Sequence, residues 1–283
     1  MIGVVLRLGR GGTGEIHAWL GIGFSERSPQ AWREEGRTLS LTSIECGGRM
    51  SASQHNAQTH QPMHNANNFN LVPARTALLM IEFQREWLAP ESKLQALMTD
   101  RDLFLNSQQR ASVLLALARR QGWNVIHVPF RCRSDYRDLA PNQHTLGLRG
   151  AIPRFGTWRE GREAFAPGFE PREDELIVGG RLGASAFSAS NLDALLRFHG
   201  IETLLLAGYA LHVCVESTLR AAHDLGYRAL VVEDACAAFT SAQRAHVLEH
   251  IVHHFGASVT VGELEAEPLS QTDGAFSIEP DAA

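Results

Sequence analysis

The sequence predicts an α/β fold, with a mostly parallel six-stranded sheet covered by helices on both faces. Three observations carry that reading. Short apolar runs recur from residue 73 onward, amphipathic stretches of helical length separate them, and glycines stand where those stretches stop. Strands that alternate with helices in this way pair in parallel through right-handed crossovers.

The elements follow in order. Residues 76–81 form a continuous apolar run, as a strand buried on both faces requires. A helix is expected over 107–121, with Val113, Leu114 and Leu117 on one stripe and Gly122 as its stop. Residues 124–128 and 175–178 read as strands. Ser190 with Asp193 makes a capping-box signal for a helix that carries Leu192, Leu195 and Leu196 and ends at Gly200. A strand over 202–207, a helix over 213–225 closed by Gly226, and a strand over 229–232 come next. A helix over 241–255 and a strand over 258–261 complete the pattern. The connection 131–174 is long for a plain loop and is expected to hold short helices and substrate-facing segments.

Composition narrows the function classes. With 283 residues, 44% hydrophobic and 20% charged, the chain can bury a sizeable core in one domain of about 200 residues. A net charge of −5 lacks the basic footprint of a nucleic-acid binder. No apolar run approaches the roughly 18 residues of a membrane span. Cys46, Cys132, Cys214 and Cys236 have no CxxC spacing, so neither a disulfide framework nor a zinc ribbon is encoded, and a reducing cytoplasm is the expected compartment. Residues 1–72 are expected to be a disordered extension: 1–49 are Gly- and Arg-rich without a period, 51–70 are polar, and Met50 offers an alternative start. Within it, His55, His60 and His64 read as linker rather than metal site. Residues 265–283 are expected to be a flexible tail.

Chemistry belongs at the carboxyl ends of the strands. Those ends deliver Glu82 and Gln84, then Arg131 to Arg133, then Gly179, Gly180 and Arg181, and finally Gly208 through His212 to Cys214. A carboxylate, a cation and a thiol thus converge on one edge. Cys214 is expected in the first turn of a helix, where free N–H groups and the helix dipole favour a thiolate. A buried structural cysteine is the competing reading.

Three segments together resemble the isochorismatase-like cysteine hydrolases. LLLAGYALHVCVESTLRAAHDLGYRALVVEDACAA is similar to the family's nucleophile segment, TALLMIEFQ to its first strand, and SAFSASNLDALLRFHGI to the segment before the nucleophile strand. The resemblance spans roughly residues 73–264. It implies a three-layer, Rossmann-like α/β/α sandwich, a homodimer or homotetramer, and hydrolysis of a C–N bond in a small amide, carboxamide or carbamoyl compound, without a cofactor. It makes Cys214 the nucleophile and puts Glu82 where the family has Asp. In place of the family's lysine stand Gly180 and Arg181, and arginine orients a carboxylate but does not exchange protons near neutral pH. Glu82 would take the thiol proton, and the backbone N–H groups of Leu211 and Cys214 would hold the oxyanion beside a cis bond at Ala210–Leu211. Gln84, Trp87, Arg131, Tyr209 and His212 are the expected substrate contacts.

Other signals weigh less. His212 or His127 could serve as an alternative base, but adjacency in sequence does not make a thiol and an imidazole face each other. His246 to His250 fits the H-x-x-E-H pattern on an apolar helix. A metal near the carboxylate would need a D-x-H triplet, which neither Asp135 nor Asp138 makes. Gly179 to Gly183 lacks dinucleotide spacing. Arg131, Arg133, Arg137 and Arg149 could meet an anion or simply face solvent, and Trp87, Trp158 and Phe165 could wall a pocket or fill a core. Two alternatives to the hydrolase stand. One is a catalytically reduced relative that binds a ligand or partner subunit. The other is a vinyl-ether hydrolase of the isochorismatase type, which needs no thiol.

Overall fold

Thr76–Ile81 (β1) is buried along its whole length, because it lies at the centre of a sheet with helices on both sides. The computed structural model describes residues 69–266 apart from 141 and 143, together with the backbone of 3–10 and 16–23. The further strands are Asn124–Val128 (β2), Leu176–Ile177 (β3), Thr203–Tyr209 (β4), Arg228–Ala237 (β5) and Ala257–Val259 (β6). They form one six-stranded sheet in the order β3-β2-β1-β4-β5-β6, with every pair parallel.

The side chains of β1 alternate between two cores, as the pleat demands. Leu78 and Met80 pack with Phe104, Ala111, Leu114 and Ala118 of the helix Arg101–Gln121 (α1). Ala77, Leu79 and Ile81 pack on the other face with Leu192 and Leu196 of Leu192–Phe198 (α3), Leu219 and Ala222 of Glu216–Asp224 (α4), and Val247 of Ser241–His250 (α5). This is the three-layer α/β/α sandwich the sequence predicts. Gly147–Phe155 (α2) lies within the long 131–174 connection.

Several boundaries differ from expectation, each for a local reason. Helix α1 starts at Arg101, because Asp100 caps it by accepting the Leu103 N–H at 3.0 Å. Helix α3 has no capping box: Ser190 Oγ accepts from the Leu192 N–H at 3.2 Å, while Asp193 turns to Arg197 and Tyr227. The helix expected over 213–225 opens with a π turn, Leu211–Val215, in which the Ala210 carbonyl accepts from Val213, Cys214 and Val215. The helix expected over 241–255 breaks at Ile251.

Residues Gly3–Arg10 and Ile16–Gly23 form an antiparallel hairpin of their own, with Gly3 opposite Gly23 and Arg10 opposite Ile16. These two strands fall within the 1–72 stretch expected to be a disordered extension. Val4, Leu6 and Leu8 alternate as a strand does, a period masked in the sequence by the surrounding Gly and Arg. Met50, His55, His60, His64 and the expected tail beyond 266 lie outside the described residues. No helix among the described residues is long and apolar enough to cross a membrane.

The strand order reverses between β1 and β4, so a crevice opens at their carboxyl ends. The strands come very close there. Gly208 holds φ at +135°, and a Cβ at that position would stand 2.0 Å from the Ile81 carbonyl oxygen, so only glycine fits.

Candidate active site

Glu82 is the first residue past β1 and occupies the left-handed region at φ +60°. Its N–H donates to the Val128 carbonyl at 3.0 Å, which ties it to the end of β2. Its carboxylate is buried and taken on both oxygens. Oε1 accepts from Arg181 Nη2 at 2.6 Å, and Oε2 accepts from Trp87 Nε1 at 2.9 Å. Arg181, on the loop after β3, is itself fixed: Nη2 also donates to the Ala184 carbonyl at 2.6 Å, and Nε to that of Gly183 at 3.1 Å. The guanidinium lies 5.5 Å from the centre of the Phe130 ring. Its Nη1 is buried with no protein partner.

Cys214 follows β4 in the π turn and completes the group. Burial pushes its thiol up first; the Glu82 charge adds to that, and Arg181 pulls the other way without prevailing. The resting form is therefore the neutral thiol. This direction runs against the thiolate expected at the helix start, because burial penalises the charged form. Burial alone would lower Arg181, but the Glu82 charge and hydrogen bonding to Glu82 and Cys214 raise it above its ordinary value, so it stays protonated. A carboxylate, a protonated thiol and a fixed cation thus meet at one point.

These groups line a cavity of about 410 Å³ whose wall is mainly apolar. Trp87 and Trp158 belong to that wall, whereas Phe165 packs on His127 and Arg131. Residues singled out only by the structure supply the rest, notably Phe130, Leu148, Ile152, Val213 and Phe239. Their signal in the sequence was faint, since α2 is short and the connection that holds it has no sustained period.

The other expected contacts sort differently. The cis bond lies at Tyr209–Ala210 rather than Ala210–Leu211. The Leu211 side chain is fully buried in the core on the α3 and α4 side, and the cavity is lined by Ala210 and Cys214. Tyr209 points away, its hydroxyl 3.2 Å from Ser107 Oγ among Phe83, Trp87 and Phe104. Gln84 is a clamp rather than a substrate contact. Its amide holds the Phe130 N–H and carbonyl at 2.7 and 3.0 Å and the Glu163 carbonyl at 2.5 Å, fully buried. Arg131 is exposed over Phe165, outside the cavity. Arg133 and Arg137 pair with Asp135, so of the four arginines only Arg149 reaches the cavity mouth.

Neither histidine faces the thiol. His212 stacks edge-on against Phe239 at 4.6 Å outside the cavity lining, and His127 is buried with Nε2 2.8 Å from Glu175. His246 and His250 are exposed on α5 while Val247 is buried. Among the described residues no group of three or more His, Cys, Asp or Glu is placed to hold a metal ion.

A second buried pair was not anticipated. Glu86 accepts from Arg162 Nε at 3.0 Å and from the Trp158 N–H at 2.7 Å, which pins the cavity wall from behind. Lys93 Nζ donates to the Phe155 and Gly156 carbonyls at 3.0 Å each and so closes the end of α2.

Comparison with known proteins gives a consistent result. The family model described as the isochorismatase domain matches residues 76–263. The chain is similar to the ureidoacrylate amidohydrolase RutB of Agrobacterium fabrum, 27% identical over 179 residues, which cover 58% of this chain and 77% of that protein. It is also similar to the maleamate amidohydrolase of Pseudomonas putida, 30% identical over 162 residues, covering 56% and 71%. A cysteine hydrolase from Pseudomonas syringae shares the fold with a TM-score of 0.61 at 23% identity, over 70% of this chain and 94% of that one. With the matched domain filling most of the chain and the six-stranded parallel sheet in place, the protein belongs to the isochorismatase family.

Proposed function

We propose that the protein is a cysteine hydrolase that opens the C–N bond of a small amide, carboxamide or carbamoyl compound through a thioester on Cys214. One observation carries the reading. The Glu82 carboxylate and the Arg181 guanidinium both bear on a neutral thiol in the lining of a mainly apolar cavity. Two of the relatives are named amidohydrolases, which supports the same bond type.

In the first half-reaction Glu82 accepts the Cys214 proton as the sulfur attacks the carbonyl carbon, forming a C–S bond and moving the C=O electron pair onto oxygen. The backbone N–H of Ala210, at the cavity wall, would stabilise that oxyanion. The oxyanion collapses, the C–N bond breaks, and Glu82 returns its proton to the departing nitrogen, so ammonia or an amine leaves. Water then attacks the thioester and loses a proton to Glu82. The C–S bond breaks, the acid departs, and the proton returns to sulfur. Arg181 gives up no proton in either half; it holds Glu82 in place and keeps positive charge beside the anionic states.

A second reading, a binding protein with reduced catalysis, is favoured by the guanidinium standing where the family carries lysine. Ammonia release from a panel of amides separates the two. The hydrolase reading expects release by the wild type, none by Cys214→Ala and far less by Glu82→Gln. Equal background release from all three would favour the binding protein.

A further inference from the structure

Resting on the hydrolase reading of this same site, we infer that the substrate is a neutral amide with a bulky apolar acyl group. Beside Cys214 the cavity lining holds one anion and one cation, Glu82 and Arg181, paired at 2.6 Å. A substrate carboxylate buried there would stand beside the Glu82 carboxylate, share its one guanidinium and lose its hydration. Further out the wall is hydrocarbon: Leu148, Ile152, Phe155, Val213 and Phe239 converge around the space. Arg149 is the remaining charged group of the wall, and it is exposed at the mouth, where a solvated guanidinium adds little.

Size points the same way. A cavity of about 410 Å³ falls in the range of sites that enclose a whole small molecule and far exceeds what a two-carbon amide fills. Phe155 and Leu148 remain 66% and 45% exposed, so apolar side chains rim the entrance rather than closing over one another. An acyl chain or ring extending from the reacting carbonyl would cover them, and each methylene placed there adds to binding.

The test uses the full chain with Cys214→Ala, so that binding is read apart from turnover. Calorimetric titration compares acetamide, hexanamide and adipamate, the last being the hexanamide chain ended by a carboxylate. Hexanamide is expected to bind at least about tenfold more tightly than either of the others. Phe155→Ser in the same background should cut that advantage at least threefold and leave acetamide unchanged. On the wild-type chain the same ranking should appear as protection of Cys214 from alkylation. Equal binding of the three, or tighter binding of adipamate, overturns the inference and gives Arg149 an anion to hold. If wild type releases ammonia from all three without the ranking, the inference alone fails. If the ranking holds and no ammonia is released from any, the inference stands and the hydrolase reading fails.

Discussion

Glu82–Arg181 and Glu86–Arg162 are the same chemical pair used twice within one loop region, at 2.6 and 3.0 Å, both with buried carboxylates. What separates them is the surroundings. The first faces a cavity and a thiol, and one guanidinium nitrogen has no protein partner. The second faces backbone: Glu86 also accepts the N–H groups of Trp158 and Lys93, and Arg162 donates to the Gly156 carbonyl, so the pair holds the wall in shape. A buried ion pair is therefore no sign of function in itself. Its remaining contacts decide whether it acts on a ligand or on the fold.

The sharpest way to break this comparison is to neutralise each glutamate. Glu82→Gln should lower kcat/KM by about 10²–10⁴-fold, the range for losing a general base, measured at a temperature where the variant stays folded. Gly208→Ala ranks next. Its added carbon meets the Ile81 carbonyl, with no flexible atom to yield, so chemical denaturation should show a loss of about 3 kcal/mol or more, with activity falling alongside. Glu86→Gln takes from Arg162 its buried carboxylate partner and leaves it Glu160 at 3.1 Å, and should cost about 2–3 kcal/mol in urea unfolding, while kcat stays within about threefold of wild type. If Glu86→Gln instead abolished turnover in a fully folded protein, the division of labour between the two pairs would be wrong.

Acid provides the mildest test, at a carboxylate that belongs to neither pair. Burial pushes Glu175 up, but hydrogen bonds from Arg119, the Arg172 N–H and His127 outweigh it and hold the carboxyl at about 2. The folded value lies below the ordinary 4.5, so its stabilisation is present above about pH 4.5 and is lost as pH falls towards 2. Arg119→Met should flatten that part of the stability curve as followed by circular dichroism, without changing kcat at neutral pH.

Much of the fold was legible because long parallel strands announce themselves. The runs at 76–81 and 124–128 are apolar enough to leave no other reading, and both strands have those bounds. Glu82, Arg181 and Cys214 were legible for the same reason: strand ends in this topology converge on one crevice. Contacts that depend on facing were not. Tyr209 and Gln84 stand beside the site in sequence, yet one turns into the α1 core and the other binds backbone, because neighbouring residues on an extended chain point to opposite sides. The burial that raises the Cys214 thiol was hidden for a related reason, since it is a property of the packed molecule and not of the helix start. The cavity wall from α2 was hidden in a connection where short elements leave no period to count.

The account stands on a covalent bond forming at Cys214 under the influence of Glu82. The direct test is a single-turnover mixture of wild type and hexanamide, quenched in acid within one catalytic cycle and weighed as intact protein. The expected result is a mass gain equal to the acyl group, located on the Cys214 peptide, removed by hydroxylamine and missing from Glu82→Gln. Consumption of the amide with the chain left at its original mass throughout would contradict it.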